Sequence, residues 1–151
     1  KVLNLKIENR GKEVFLEGSP EEEYLGEKVI DAINLGFPIQ HAILIKTEDL
    51  LYERLNIKDH TKRKDFKIVR ARIIGTKGKT LRTMANLTNC FFEIQDNTLG
   101  IIGPPESIKT TRDAIISLIK GSKQANVYSF LEKHRIEPIL DLGLKEIKKK
   151  K

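Results

Sequence analysis

The fold of this chain is decided by the stretch Ile73-Ile74-Gly75-Thr76-Lys77-Gly78-Lys79-Thr80-Leu81-Arg82-Thr83-Met84. Before the first glycine, Ile68, Ala71 and Ile74 lie at helical spacing, which predicts a helix. After the second glycine, residues 79–87 again repeat apolar positions at helical spacing. Asn89 can end that helix because Asn tolerates the left-handed conformation. The stretch therefore predicts two helices joined by a short loop with a glycine at each end.

The loop Gly75-Thr76-Lys77-Gly78 admits more than one interpretation. Glycines allow a backbone to approach a sugar–phosphate chain closely, and N–H groups at a helix start can face phosphate oxygens. A tight turn between helices also uses glycine, and a glycine pair taken alone favours that structural interpretation. A nucleotide-binding P-loop is excluded, since that motif needs a glycine where Ile73 stands and a strand where the pattern predicts a helix.

Three predicted strands and one further helix frame the helix pair. Tyr52–Ile57 alternates apolar and polar residues and precedes the pair as a strand. Cys90–Gln95 and Thr98–Ile102 follow it as a hairpin joined through Asp96-Asn97, and a helix is predicted over residues 105–120. The predicted order is strand, helix, helix, strand, strand, helix.

The positive charge of the chain is concentrated around the glycine loop. The sequence has 28 Lys+Arg against 21 Asp+Glu, a net charge of +7, and a pI near 9.5. Residues 58–82 alone carry +8, because ten basic residues are opposed only by Asp59 and Asp65. The ten are Lys58, Lys62, Arg63, Lys64, Lys67, Arg70, Arg72, Lys77, Lys79 and Arg82. A charge run is often a solvated helix face. This run surrounds a glycine pair, which favours an anionic partner. Nucleic acid is the first candidate and a membrane surface the second.

The chain contains an internal repeat at an offset of 85 residues. Two segments share an apolar strand end, a glycine and a Pro-Glu pair, namely Leu16-Glu17-Gly18-Ser19-Pro20-Glu21 and Ile101-Ile102-Gly103-Pro104-Pro105-Glu106. At the same offset Ile30 corresponds to Ile115, Ile33 to Leu118 and Gly36 to Gly121. The repeat predicts two copies of a strand–strand–helix unit, the first with a slightly longer hairpin loop.

The first of these units is expected to depend on the second. Its helix should begin with Ser19 as the N-cap, and Glu22 should complete a capping box. It lacks the strand and two helices that precede the second unit, and a hairpin with a single helix is marginal alone. We therefore predict that the first unit packs on the second through Phe37, Ile43 and Leu44.

Residues suited to metal or nucleophilic chemistry are too scattered to predict a site. Cys90 is the single cysteine, which excludes a disulfide framework or multi-cysteine zinc site and favours a reducing compartment. His41, His60 and His134 have no partner at metal-ligand spacing. No apolar run approaches the roughly 20 residues that a membrane span needs. We predict neither an enzyme nor a cofactor.

The glycine loop and its surroundings resemble the signature of a type I K-homology (KH) domain. This resemblance rests on Ile73–Met84, on Thr88 and on the strand Phe92-Glu93-Ile94. Further segments resemble the archaeal KH-domain family of small-subunit ribosome-assembly factors. They are Ala32-Ile33-Asn34-Leu35-Gly36-Phe37-Pro38, Arg70-Ala71-Arg72-Ile73-Ile74-Gly75, and Gly121-Ser122-Lys123 leading to Val127-Tyr128-Ser129-Phe130-Leu131-Glu132. The resemblance covers about residues 3–135.

The resemblance implies a function and partners. It implies two KH modules that bind near the 3′ end of small-subunit precursor rRNA and hold that end during maturation by the Nob endonuclease. Archaeal members are also linked to a translation initiation factor 2 subunit. Gly75, Thr76, Lys77 and Gly78 match the loop that clamps about four nucleotides of single strand. The implied location is cytoplasmic for an archaeal protein, and nucleolar or nuclear and cytoplasmic for a eukaryotic one.

We therefore predict an α+β protein of tandem type I KH modules, each a three-stranded sheet with helices on one face. Residues 1–46 are predicted to be the C-terminal part of a first, incomplete module with a connector. Residues 47–122 are predicted to be a complete module with the GxxG loop, and residues 123–151 a C-terminal helix and basic tail.

The predicted function is binding of single-stranded precursor rRNA by a non-enzymatic assembly factor. Ile73 and Ile74 are expected to floor an apolar groove for bases, while the loop takes the phosphates. Charge is expected from Lys77, Lys79, Arg70, Arg72 and Arg82. Two alternatives stay open. One is a KH RNA-binding subunit of an RNA-degrading machine. The other is a protein–protein scaffold without RNA binding, which the acidic first half and the Asp96 hairpin favour.

Overall fold

The computed structural model describes residues 3–135 of the chain. The expected basic tail, Lys148–Lys151, lies outside the described residues. The strands are β1 (Lys6–Arg10), β2 (Glu13–Glu17), β3 (Leu51–Asn56), β4 (Phe91–Gln95) and β5 (Thr98–Gly103). The helices are α1 (Pro20–Leu35), α2 (Ile39–Ala42), α3 (Leu44–Thr47), α4 (Phe66–Ile74), α5 (Lys79–Thr88), α6 (Pro105–Lys120) and α7 (Gln124–Lys133). Short 3-10 turns cover Ile57–His60 and Thr76–Gly78.

A three-stranded antiparallel sheet is the centre of the fold. The strand order is β3-β5-β4, and Leu55 pairs with Leu99 while Phe92 pairs with Ile101. Helices α4, α5, α6 and α7 pack on one face of this sheet around a buried apolar cluster. The cluster is Leu55, Ile57, Val69, Ile73, Met84, Cys90, Leu99, Ile101, Ile108, Ala114, Ile115, Leu118, Ile119, Val127 and Leu131. The predicted α+β order of strand, helix, helix, strand, strand, helix is confirmed.

The opposite face of the sheet is covered by the first unit. Leu35 at the end of α1 and Phe37 just after it pack against Tyr52 of β3 and Ile102 of β5 in a second buried cluster. Gly100 lies between them, where a β-carbon would overlap Leu35 and Phe37. The helices that follow β3 in the chain thus lie on one face of their three-stranded sheet, as expected, while α1 to α3 of the first unit cover its other face.

The predicted junction between the two units is confirmed in part. Phe37 is buried in the second cluster and Ile43 packs against it, as expected. Leu44 is not among the residues of that cluster, whereas Ala42 and Ile45 are buried in it. The helical spacing of three between Ala42 and Ile45 directs both toward the sheet, and Leu44 falls between them.

The two units have nearly the same element boundaries at the constant offset of 85 residues, with β5 one residue longer than β2. Strands β1 and β4, and helices α1 and α6, coincide at both ends, and each helix has 16 residues. The helices end at Gly36 and Gly121, which have positive φ values of 125° and 113°. The prediction of a longer loop in the first hairpin is wrong. Both hairpins turn through two residues, Gly11-Lys12 and Asp96-Asn97, in the same register.

Of the two hydrogen bonds predicted for the capping box at the start of α1, the one accepted by Ser19 is present and the one expected from Glu22 is not. Ser19 Oγ accepts a hydrogen bond from the Glu22 backbone N–H at 3.2 Å. The reciprocal partner is Glu23, whose Oε2 accepts from the Gly18 N–H at 3.1 Å. Glu22 pairs instead with Lys46 Nζ at 2.7 Å, which joins α1 to α3. The Glu22 carboxylate raises the Lys46 pKa through this hydrogen bond.

Candidate nucleic-acid interface

The loop between α4 and α5 has a backbone that only glycine can adopt at its first position. Gly75 has φ 80° and ψ 170°, a region that side chains exclude. A β-carbon on Gly75 would also overlap Thr80, including its backbone nitrogen at 2.6 Å. Thr80 is buried in the first turn of α5. Gly75 therefore allows the two helices to meet at a sharp corner.

The exposed part of this loop presents unused backbone donors. The Gly78 N–H donates to the Gly75 carbonyl at 3.1 Å. In residues 3–135, no hydrogen bond uses the backbone N–H of Thr76 or Lys77, and both side chains are exposed. The start of α5 has no side-chain cap at Gly78. Free N–H groups at a helix start form a surface suited to phosphate oxygens.

Lys77 is the strained residue of the loop. It has φ 54° and ψ 30°, the left-handed conformation that costs a residue with a β-carbon about 1–2 kcal/mol. Arg82, on the first turns of α5, donates from Nη1 to the Lys77 carbonyl at 2.6 Å. The predicted loop cation Arg82 is thus already engaged with the loop backbone.

The basic side chains around the loop divide into a free set and an internally bonded set. The free set is exposed, and its charged groups have no ion-pair partner within residues 3–135. It comprises Lys62, Arg63, Lys64, Lys67, Lys77 and Lys79. The second set holds Arg70 and Arg72 of α4, both half-buried, together with Arg82 of α5. Exposed cations near unused N–H groups make the loop the most favourable place on this segment for an anion.

Arg70 and Arg72 hold α4 to two other parts of the molecule. Arg70 Nη1 donates to Asn97 Oδ1 at 2.6 Å, which ties α4 to the β4–β5 hairpin. Arg72 donates through Nη2 to the Ser122 carbonyl. Gln124 Nε2 in turn donates to the Arg72 carbonyl at 3.5 Å. The role of Arg70 and Arg72 toward RNA stays a prediction, and the structure gives both a structural role.

The side chains that helix α4 exposes differ from those predicted to form the apolar floor of the site. Ile73 has no exposed surface and lies in the sheet-side core, so it is not available to a base. Val69 is buried with it, whereas Ile68 is 49% exposed. The predicted stripe of Ile68, Ala71 and Ile74 is therefore wrong: the buried face runs through Val69 and Ile73, and Ile74 is half-buried.

Partly exposed apolar surface on the side of the sheet that carries α4 and α5 comes from α5 and β4. Leu81 of α5 and Phe92 and Ile94 of β4 are half-buried and pack against the sheet-side core. Phe92 and Ile94 alternate along a strand that pairs with β5 and, within residues 3–135, with no other strand. The alternation of Phe92 and Ile94 in the sequence predicted that both lie on one apolar face of the strand. It did not indicate that both side chains would stay partly exposed.

The remaining polar residues form no further reactive group in the described part of the chain. Cys90 is buried, with its Sγ 3.6 Å from Thr111 Oγ1. No cluster of three or more potential metal ligands occurs among residues 3–135. Among the helices that the structure describes, none combines the length and apolarity that crossing a bilayer requires.

Comparison with known families gives one match across this region. A profile of the eukaryotic-type KH domain (KH-domain type I) matches residues 52–136. That range includes the three-stranded sheet, the glycine loop and the helices packed on the sheet.

Two curated relatives are similar over about 70% of the chain. A KH domain-containing protein of Methanocaldococcus jannaschii is 28% identical over 108 residues, covering 71% of this chain and 48% of that protein. The pre-rRNA-processing protein PNO1 of Coccidioides immitis is 37% identical over 109 residues, covering 70% of this chain and 43% of that protein. The chain thus spans about half the length of these relatives.

Two solved structures share the fold. Dim2p from Pyrococcus horikoshii superposes with a TM-score of 0.80 at 27% identity, covering 87% of this chain and 82% of that one. A complex of a/eIF2alpha, aDim2p and rRNA from the same organism contains a chain that superposes with a TM-score of 0.79 at 26% identity. The match covers 88% of this chain and 77% of that one.

Proposed function

The chain belongs to the eukaryotic-type (type I) KH-domain family, and on that premise we propose that it is a single-stranded RNA-binding assembly factor for the small ribosomal subunit. The observation that carries the proposal is the loop Gly75-Thr76-Lys77-Gly78, with two unused N–H groups in a segment of charge +8. The names of the relatives support the target, since they include pre-rRNA-processing proteins and a protein in complex with rRNA. A cytoplasmic or nucleolar location fits this role.

The proposed grip has a phosphate side and a base side. The free N–H groups of Thr76 and Lys77 and the start of α5 receive phosphates, while Lys77 and Lys79 add charge. Bases lie against the half-buried surface of Leu81 and Ile94, with Ile74 at the end of α4. This is a binding role in which the chain holds RNA and takes no part in bond cleavage.

The proposed target is the 3′ region of small-subunit precursor rRNA. A translation initiation factor 2 subunit is a proposed partner, supported by the complex in which a similar chain occurs with a/eIF2alpha and rRNA. The Nob endonuclease is a second proposed partner. Its support is the resemblance of the sequence to the ribosome-assembly family.

We also propose that residues 1–46 hold the C-terminal part of a first KH module, residues 47–122 the complete module, and residues 123–151 a C-terminal helix and tail. The shared boundaries at an offset of 85 residues support this division. Val14 and Ile33 are 43% and 37% exposed, while their counterparts Leu99 and Leu118 are fully buried. In the second unit these positions lie beneath helices such as α4 and α5, and residues 3–135 contain no counterpart of those helices for the first unit.

The test is a titration of the 151-residue chain with RNA oligonucleotides of one length. One has the 3′-terminal sequence of small-subunit precursor rRNA and the other a scrambled sequence. Tighter binding to the first supports the proposal. Equal binding of both favours a general RNA-binding subunit of a degrading machine, and no binding of either favours a protein scaffold.

A further inference from the structure

The peptide between Lys77 and Gly78 is held on both of its edges. Its N–H, on Gly78, donates to the Gly75 carbonyl at 3.1 Å. Its carbonyl, on Lys77, accepts from Arg82 Nη1 at 2.6 Å. Two hydrogen bonds on opposite edges fix the orientation of a peptide plane, and with it the direction of the neighbouring N–H groups.

The Arg82 side chain also lies directly over the second glycine. A β-carbon on Gly78 would stand 3.3 Å from Arg82 Nη1. The guanidinium group therefore covers the loop from the α5 side and makes its hydrogen bond there. A β-carbon at position 78 would force the guanidinium group to shift by a few tenths of an ångström.

The conformation that Arg82 holds is one that Lys77 does not favour. Lys77 has φ 54°, and a residue with a β-carbon leaves the left-handed region unless the surroundings hold it there. Within residues 3–135, the Lys77 carbonyl has Arg82 as its only side-chain donor. Loss of that donor releases the Lys77–Gly78 peptide on one edge.

We propose that Arg82 is a positioning residue that keeps the glycine loop in its RNA-binding conformation, and that its main contribution is not direct contact with phosphate. This inference rests on the proposed function. The two roles differ in a measurable way. A direct phosphate contact makes the slope of log affinity against log salt more negative by about 0.7. A residue that only populates the competent loop changes the affinity by the same factor at every salt concentration.

Lys79 provides the matched control. It is a neighbouring exposed cation at the start of α5, and no hydrogen bond or ion pair in the described part of the chain uses its ammonium group. The variants Arg82→Met and Lys79→Met each remove one positive charge. Only Arg82→Met also removes a hydrogen bond to the loop backbone.

The experiment measures both variants in two ways. In the free protein, amide NMR shifts and ¹⁵N relaxation report the order of residues 75–78. In the complex, fluorescence anisotropy with the 3′-terminal rRNA oligonucleotide gives affinity over a series of salt concentrations. For Arg82→Met we expect increased loop mobility and about tenfold weaker binding at all salt concentrations, as for a loop that is competent in about a tenth of molecules. For Lys79→Met we expect an unchanged loop and a salt slope that is less negative by about 0.7.

The inference is overturned if Arg82→Met leaves the loop signals unchanged and flattens the salt slope as Lys79→Met does. It is also overturned if Arg82→Met binds as tightly as wild type. Failure of the wild-type chain to bind any RNA would instead contradict the proposed function. The NMR comparison of the two variants would then still decide whether Arg82 orders the loop.

Discussion

Gly75 lies so close to Thr80 that a β-carbon on the glycine would stand 2.6 Å from the threonine backbone nitrogen. Because the obstructing atom belongs to the backbone, a rotamer change cannot relieve the overlap. The contact joins the end of α4 to the first turn of α5, and it sets the corner from which Thr76 and Lys77 project. The shape of the proposed RNA grip thus depends on a glycine that need not touch RNA.

The first prediction is that the two glycines of the loop, Gly75 and Gly78, contribute differently to the free energy of unfolding. Gly75→Ala should lower the free energy of unfolding by roughly 2–4 kcal/mol, because it combines an overlap with an unfavourable backbone region. Gly78→Ala should cost only about 1 kcal/mol, since left-handed backbone carries a smaller penalty and the nearest atom is the end of Arg82. Urea denaturation measures both. Equal losses for the two variants would contradict the corner described for Gly75.

The second prediction concerns salt. If the basic segment neutralises about four phosphates of a single strand, the slope of log affinity against log salt should be near −3, at about −0.7 per contact. Anisotropy titrations over a range of potassium chloride concentrations give the slope. A slope near zero would show that the +8 segment is a solvated face with no phosphate contacts.

The sequence predicted the order of elements well because their ends are set by local chemistry. Asn89 ends α5 in the left-handed conformation, with φ 59°, and Gly36 and Gly121 end the two repeated helices. Each of these signals is a residue type whose backbone preference does not depend on distant contacts. Helix starts and ends were therefore readable from single residues.

The buried face of α4 could not be predicted in the same way. Its sequence Phe66-Lys67-Ile68-Val69-Arg70-Ala71-Arg72-Ile73-Ile74 places apolar residues on more than one side of the helix. Helical spacing alone then permits a stripe through Ile68 or one through Val69. The sheet decides between them, and its strands lie elsewhere in the sequence.

The internal use of the arginines depends on still longer separations. Arg70 bonds a residue 27 positions away and Arg72 a residue 50 positions away. A count of charge over residues 58–82 treats every arginine as free. The position of the site at the glycine loop stays a prediction, while the number of cations free to meet a ligand was overestimated.

The third prediction concerns the first unit. Helix α1 buries Val29 and Ala32 against the sheet, whereas the β1–β2 hairpin is largely exposed. Amide exchange should be slow over 29–33 and faster over 14–16, with α6 as the protected reference. The variant Phe37→Ala should speed exchange in α1 by removing a buried contact, and Ile39→Ala, at a 64% exposed residue, should not. Unprotected α1 amides in the wild type would contradict the packing of the two units.

The fourth prediction concerns pH. Burial raises the pKa of Glu93 above its ordinary value of 4.5, and the charge of His41 opposes this in part. A raised carboxyl pKa means that the folded state favours the neutral form, so this group stabilises the fold below the ordinary value and loses that effect as pH rises through the folded pKa.

Glu93→Gln should therefore be more stable than wild type at pH 7, with a difference that shrinks toward pH 4. Thermal unfolding at the two pH values measures this. The control Glu27→Gln removes the same charge from an exposed position of α1. Its thermal stability should change between the two pH values by as much as that of the wild type. A Glu93→Gln variant that is less stable than wild type at pH 7 would contradict the assigned desolvation.

The most direct test of the central claim is RNA binding by the double variant Thr76→Asp, Lys77→Asp. Both residues are exposed, so folding should be little changed, while the added carboxylates repel phosphates at the point of closest approach. The control Asn9→Asp, Lys12→Asp makes the same charge change at two exposed positions of the β1–β2 hairpin. With circular dichroism confirming that both are folded, the loop variant should show no measurable affinity for the 3′-terminal rRNA oligonucleotide, and the hairpin variant should bind nearly as wild type. A folded loop variant that binds as tightly as the hairpin variant would contradict the claim that the glycine loop grips RNA.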